Sequence, residues 1–156
     1  MEMQIRLAKP ADLEPVVTLD PIAQAAPSRR TFLAAAVRAG ECWVAERAGS
    51  AVGFVVLQYT FYGNGFVPLL VVQESVRRQG VGRALLEHVA SRCTTPKLFT
   101  STNESGTAMR SLLAVLGFEP SGVIHNLDPG DPELVYVRRL RVEPEAPEAT
   151  SVPGAA

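Results

Sequence analysis

Apolar and polar residues alternate over Gln4-Ile5-Arg6-Leu7-Ala8, the period of a half-buried strand. Lys9-Pro10-Ala11-Asp12 predicts the start of a short helix running to about Leu19, with Asp12 as its N-cap. Pro21 and Pro27 punctuate a loop, and the alanine-rich stretch from Arg29 to Ala39 reads as a second helix ended by Gly40. Two apolar runs, Cys42 to Glu46 and Val52 to Tyr59, flank Arg47-Ala48-Gly49-Ser50 as a β-hairpin. Gly63-Asn64-Gly65 turns the chain into a further strand, Phe66 to Val72. Pro68 inside that strand predicts irregular pairing, a bulge or an edge position, because it has no N–H to give to a ladder.

Downstream the period changes to that of a helix. From Gly80 to about Arg92, Gly82, Leu85, Leu86, Val89 and Cys93 share one face, with Arg83 and Glu87 opposite. Lys97 to Ser101 is a short strand, and Thr107 to Leu116 a helix with Ala108, Met109, Leu112 and Leu116 inward. Phe118 to Leu127 and Leu134 to Leu140 are the last two strands, joined by the turn Asp128-Pro129-Gly130-Asp131-Pro132. The order β-α-α-β-β-β-α-β-α-β-β predicts a mixed α+β sheet with helices on its faces.

Length and composition narrow the class. At 156 residues and 47% hydrophobic, the chain suffices for one well-buried domain, assigned to residues 1–141. Residues 142–156 carry three Glu and three Pro without Lys or Arg, and read as a disordered tail. The whole chain has 15 Lys+Arg against 16 Asp+Glu; without the tail's three Glu the body is weakly basic, far from a nucleic-acid-binding surface. Cys42 and Cys93 fall at apolar positions and read as small core residues rather than a disulfide. With two Cys and two His at no ligand spacing, no metal site is expected. No apolar run reaches membrane-spanning length and the N-terminus has no signal core, which predicts a soluble cytoplasmic protein without a membrane partner.

The candidate chemistry lies in Val71-Val72-Gln73-Glu74-Ser75-Val76-Arg77-Arg78-Gln79-Gly80-Val81-Gly82-Arg83. An apolar strand runs into two glycines, flanked by arginines, that open a helix. The first N–H groups of a helix have no intrahelical partner, and its dipole adds positive charge there. An anion can therefore approach the backbone at Gly80 and Gly82, with Arg77, Arg78 and Arg83 beside it. The bland alternative is a glycine-containing helix start packed on a sheet. The spacing excludes a P-loop, which needs Gly-Lys-Ser/Thr, and the three-glycine dinucleotide fingerprint.

Arg77, Gly80 and Gly82 form Arg-x-x-Gly-x-Gly, which resembles the acyl-CoA pyrophosphate loop of the GCN5-related N-acetyltransferases, the GNAT superfamily. Asn103 after the next strand, then a helix ending in Leu116-Gly117-Phe118, resembles that family's second signature. The resemblance covers roughly Gln4 to Leu140. It implies the GNAT fold, a central, mostly antiparallel mixed sheet of about seven strands with flanking helices. It also implies acetyl-CoA as cosubstrate and transfer of an acetyl group to a primary amine of a small molecule or peptide. The cofactor-binding positions it implies are Leu70, Val71 and Val72 along the pantetheine arm, Arg77, Arg78, Gln79, Gly80, Val81, Gly82 and Arg83 at the pyrophosphate, and Asn103 near the pantetheine. The strand holding Leu70–Val72 would splay from the one holding Phe99 and Thr100, with the thioester in the wedge and the Val72 N–H as donor to its carbonyl.

The match departs at one position. Many relatives carry a tyrosine four residues before the Gly of Gly-Phe, as proton donor to the leaving thiolate; here that residue is Leu113. Tyr136, Tyr59 and Tyr62 are alternative donors, though each reads first as a half-buried strand tyrosine. Glu104 heads the candidates for the base that takes the amine proton, with Glu41 and His125 behind it, and His88 lies off its helix's buried stripe. The acidic Asp128–Asp131–Glu133 turn could attract a cationic amine, though it reads first as ordinary turn chemistry. Leu113 keeps a second class open, a non-catalytic acyl-CoA-binding sensor. The oligomeric state is left open, a homodimer included.

Overall fold

The computed structural model describes residues 2–141. The tail expected at 142–156 lies outside the described residues. Seven strands form one sheet in the order β1-β2-β3-β4-β5-β7-β6. They are β1 (Met3–Leu7), β2 (Cys42–Arg47), β3 (Ser50–Phe61), β4 (Asn64–Val72), β5 (Lys97–Asn103), β6 (Glu119–Ile124) and β7 (Glu133–Arg139). All neighbouring strands are antiparallel except β4 and β5, as expected for a mixed sheet. Helices α1 (Leu13–Leu19), α2 (Pro21–Ala25) and α3 (Pro27–Arg38) cover one face; α4 (Val81–Arg92) and α5 (Thr107–Val115) cover the other.

Each face has its own core. Val16, Val17, Leu33, Ala36 and Val37 of the first helices pack on Val44, Phe54 and Val56. Leu85, Leu86 and Val89 of α4 pack on Val55, Val67 and Leu98. Burying a Val or Leu side chain is worth about 1.5–3 kcal/mol, so these two layers fix the helices on either side of the sheet's middle strands.

Three local expectations change. Asp12 begins α1 without capping it: its carboxylate accepts from Arg6 Nη1 (2.7 Å) and the Lys9 N–H (2.7 Å) instead. The segment between Pro21 and Pro27 is helical, not a loop. Each proline occupies a first-turn position where its missing N–H costs nothing, and Asp20 caps α2 by accepting from the Ile22 N–H at 3.0 Å. In α5 the fully buried residue is Leu113, whereas Ala108 is exposed and Met109 and Leu112 are only partly buried.

The β4 irregularity expected at Pro68 is real. Val56 pairs with Leu69 and Gln58 with Phe66, so β4 uses one more residue than β3 over this stretch. The extra residue also turns the side chains over: Val67 lies in the α4 core while Leu69 packs on the α1–α3 side. Parallel pairing of β4 with β5 ends at Val67–Thr100, one residue before the proline. There the buried Thr100 hydroxyl donates to the Val67 carbonyl at 2.8 Å, satisfying the last group of the ladder. Beyond it the two strands part.

Thr100→Val keeps shape but leaves the Val67 carbonyl without that partner; it is expected to cost about 1–3 kcal/mol in urea unfolding. A change within error would mean the hydroxyl does not hold this junction. The Arg6 guanidinium holds the Asp12 carboxyl below its ordinary value of 3.8. A depressed carboxylate stabilises the fold above that value and loses its contribution as pH falls through the lowered one. Asp12→Asn should therefore flatten the acid limb of stability against pH, measured by urea midpoints between about pH 2 and 6.

Candidate functional site

The site is what the parting of β4 and β5 leaves exposed. Gln73 donates its N–H to the Val52 carbonyl at 2.8 Å, so Gln73 and, by alternation, Val71 face β3 with their backbone groups. The N–H and C=O of Leu70 and Val72 then face the gap where β5 has moved away. The Val72 carbonyl accepts from Arg77 Nε at 3.4 Å. The Val72 N–H is directed into the gap.

After β4 a single 3-10 turn, Glu74–Val76, leads to Arg77 in extended backbone and Arg78 in the left-handed region at φ 65°. Gly80 comes next but one, at φ 84°, as the residue before α4, a conformation glycine adopts without cost. No side chain caps α4, which leaves the N–H groups of Val81, Gly82 and Arg83 directed outward from its first turn. A Cβ on Gly82 would meet Leu112 at 3.3 Å, Val72 at 3.6 Å and Leu70 at 3.9 Å, so the bare backbone of Gly82 forms part of a concave wall.

These parts enclose a cavity of about 610 Å³. Leu70, Val71 and Val72 line it along β4, and Arg77, Arg78, Gly80, Val81, Gly82 and Arg83 at the start of α4. Ala108, Met109 and Leu112 close it from α5, and Pro21 from α2. Walls contributed from both faces of the sheet mean that the cavity runs through the splay.

The residues singled out from the sequence are only partly brought together. Nine of the proposed cofactor-binding positions line the cavity. Gln79 does not: its amide oxygen accepts from Arg47 Nη1 at 2.7 Å, tying the loop to the end of β2. Asn103 does not either, as its Nδ2 donates to Asp128 Oδ2 (2.9 Å) and the Asp131 carbonyl (3.2 Å). Asp131 in turn accepts from the Ser105 N–H and hydroxyl, so Asn103 and Ser105 together clamp the β6–β7 turn.

The candidate proton carriers lie off the cavity walls. Glu104 is exposed at the end of β5, with its N–H donating to the Pro132 carbonyl. Tyr136 is buried in the α4–α5 core. The Tyr59 hydroxyl accepts from the Thr94 N–H, and Tyr62 is exposed. Glu41 accepts from Gln58, and His125 is exposed beyond β6. His88 packs against Trp43 in a tilted arrangement with centroids 4.7 Å apart and accepts from Arg92 Nε; burial first, then the Arg92 charge, hold its pKa below the usual value. Cys42 and Cys93 are both buried and free, and burial raises the Cys42 thiol to about 12. Among the described residues no group of three His, Cys, Asp or Glu side chains could hold a metal ion.

Sequence reading missed Ala108, Met109 and Leu112 as cavity walls. All three carried a helical apolar period, which cannot distinguish a core from the wall of a cavity.

A family model for the acetyltransferase (GNAT) domain matches residues 38–120, from the end of α3 to the start of β6. The chain belongs to the GNAT family. It is similar to a GNAT-family acetyltransferase of Bacillus cereus, at 31% identity and TM-score 0.83 over 89% of this chain and 98% of that one. The ribosomal-protein-S18-alanine N-acetyltransferase of Escherichia coli shares the fold, with 22% identity and TM-score 0.77 over 92% of this chain and 97% of that one. So does YncA of Salmonella typhimurium, solved with its cofactor acetyl-CoA, at 21% identity and TM-score 0.76 over 96% and 99%. No curated protein matches the sequence. The seven-stranded α+β sheet is thus the GNAT fold, and the family is one of acetyltransferases. No helix among the described residues is long and apolar enough to cross a membrane.

Proposed function

We propose that the chain is an acetyl-CoA-dependent N-acetyltransferase acting on a primary amine. One observation carries the reading: the backbone edge of Leu70 and Val72 that no strand pairs leads through one 3-10 turn into an uncapped helix start flanked by Arg77, Arg78 and Arg83. A thioester on a peptide-like arm ending in a pyrophosphate has that same sequence of parts. Leu70 and Val72 would pair with the amides of the arm main chain to main chain, as an added strand does. The N–H groups of Val81 to Arg83, the helix dipole and the three guanidiniums would hold the phosphates. The missing Cβ of Gly82 leaves room for that approach.

Bound acetyl-CoA supplies an activated acyl group. The chain's part is to fix it in the splay and to donate the Val72 N–H toward the acyl oxygen, where negative charge develops during attack. Apolar walls from Leu70, Met109 and Leu112 exclude water, which strengthens that hydrogen bond and suppresses hydrolysis.

Leu113 favours a second reading. It is fully buried in the core, so no hydroxyl reaches the cavity from the position where many relatives keep a tyrosine. A non-catalytic acyl-CoA sensor would need the cradle and nothing more. Loss of a general acid typically costs ~10²–10⁴-fold, and CoA is a tolerable leaving group, with thiol pKa about 8.5, so slow transfer remains the main reading.

Release of CoA measured with a thiol reagent over an amine panel, beside calorimetric binding of acetyl-CoA, separates the two. Turnover with at least one amine is expected; tight binding without turnover on any amine establishes the sensor instead. Gly82→Leu should raise the acetyl-CoA dissociation constant by about tenfold or more, roughly 1.4 kcal/mol, with an unchanged circular-dichroism spectrum. Equal affinity in that folded variant would sink the cradle.

A further inference from the structure

We infer that Arg47, at the end of β2 and outside the cavity wall, is a positioning residue for the cofactor's phosphates, acting through the side chain of Gln79. The inference rests on the acetyl-CoA site proposed for the chain and concerns what keeps its phosphate-binding loop in shape. That loop is held unevenly. In its first half the Val76 N–H donates to the Gln73 carbonyl and the Arg77 N–H to the Glu74 carbonyl. Val76 also packs on the α4–α5 core, and Arg77 Nε reaches the Val72 carbonyl. At the far end α4 takes over with the bond from the Ala84 N–H to the Gly80 carbonyl.

Between these anchors Arg78, Gln79 and Gly80 are exposed. Arg78 is in the left-handed region at φ 65°, a conformation that strains any residue with a Cβ, and Gly80 follows at φ 84°. Nothing local to the chain favours that shape at Arg78. Among the described residues one side-chain hydrogen bond reaches this stretch, from Arg47 Nη1 to Gln79 Oε1 at 2.7 Å, across 32 residues of sequence.

Arg47 is well placed to hold it. Its backbone is fixed in the ladder opposite Met3 of β1 and Ser50 of β3. The neighbouring carboxylate, Glu46, is taken by Arg6, and among the described residues no ion pair involves Arg47. Its Nε is covered and has no partner, so the guanidinium lies against the protein rather than extending into water. Its planar fork then aims Nη1 at the loop. Gln79 suits the other end of the tie, since a carboxylate there would set a negative charge beside the anion cradle, whereas an amide accepts the bond and stays neutral.

Cutting the tie lets Arg78 relax and lowers the fraction of molecules whose loop is ready for phosphate. The apparent dissociation constant rises by the inverse of that fraction. The bond is exposed, so the expected rise is about three- to tenfold. Leu70 and Val72 belong to β4, which β3 holds independently, so the loss falls at the phosphate end of the ligand alone.

Calorimetric titration of the full chain with acetyl-CoA tests this in the wild type, Arg47→Met, Gln79→Ala and the double variant. Each single substitution should raise Kd by that factor, and the double variant should be no weaker than either single one, because both changes cut the same tie. The Kd of S-acetylpantetheine, which lacks the phosphates, should stay within about twofold of the wild-type value in all three variants when read by NMR titration. Effects that multiply in the double variant would show the two residues acting separately and overturn the inference. An unchanged acetyl-CoA Kd in Gln79→Ala overturns it too, as does an equal loss of S-acetylpantetheine binding. A wild-type chain that binds no acetyl-CoA overturns the cofactor site itself and the inference with it.

Discussion

The parting of β4 from β5 after Val67 is the constraint on which the site depends. A parallel pair normally continues until one strand ends, because every buried N–H and C=O needs a partner. Here Pro68 has no N–H to offer, the bulge turns β4 over, and the Thr100 hydroxyl satisfies the last carbonyl of the ladder. The sheet can then open without stranding a buried polar group at the junction. The opening leaves a strand edge, at Leu70 and Val72, inside the molecule rather than at its margin.

An inner edge would be a liability if it were open to other chains. It is covered from both faces: α4 and α5 close one side, and Pro21 of α2 reaches the other. The same packing that makes each core also sets the cavity's dimensions. α4 is held to β3 by Val81 and Leu85, which a Cβ on Gly53 would meet at 3.1 and 3.2 Å. That close approach places the helix's first turn beside the end of β4. The position of that uncapped first turn therefore follows from how tightly helix and sheet pack, and Arg47 on β2 steadies the loop between them through Gln79.

Much of this was legible in the chain, for reasons that can be stated residue by residue. Alternation and helical period reflect burial on one face, so the seven strands and the helix from Gly80 stood out. Pro68 announced an irregularity because a missing donor is a local property. Arg77, Gly80 and Gly82 marked the arginine-flanked helix start because an uncapped first turn arises from local backbone and composition. The Pro21–Pro27 stretch was misread as a loop because proline punctuates loops and also starts helices, and the cap from Asp20 is visible only in three dimensions. Asn103 illustrates the other failure: its partners Asp128 and Asp131 are 25 and 28 residues away, too far along the chain for any spacing argument.

By itself, then, the sequence determined the order of the strands and of the helices other than α2, the irregularity at Pro68 and the positively charged turn. Each of these is written in the character of neighbouring residues. Only the tertiary structure decided which apolar residues form core and which form cavity, turning Leu113 inward while Leu112 and Met109 line the splay. It also decided which polar groups remain available, by engaging Gln79, Asn103, Asp20 and Asp131 in contacts of their own. The physical reason is the same for both. Local pattern fixes which side of an element is buried, but the occupant of the buried side, whether protein or space, depends on elements that meet only when the chain has folded.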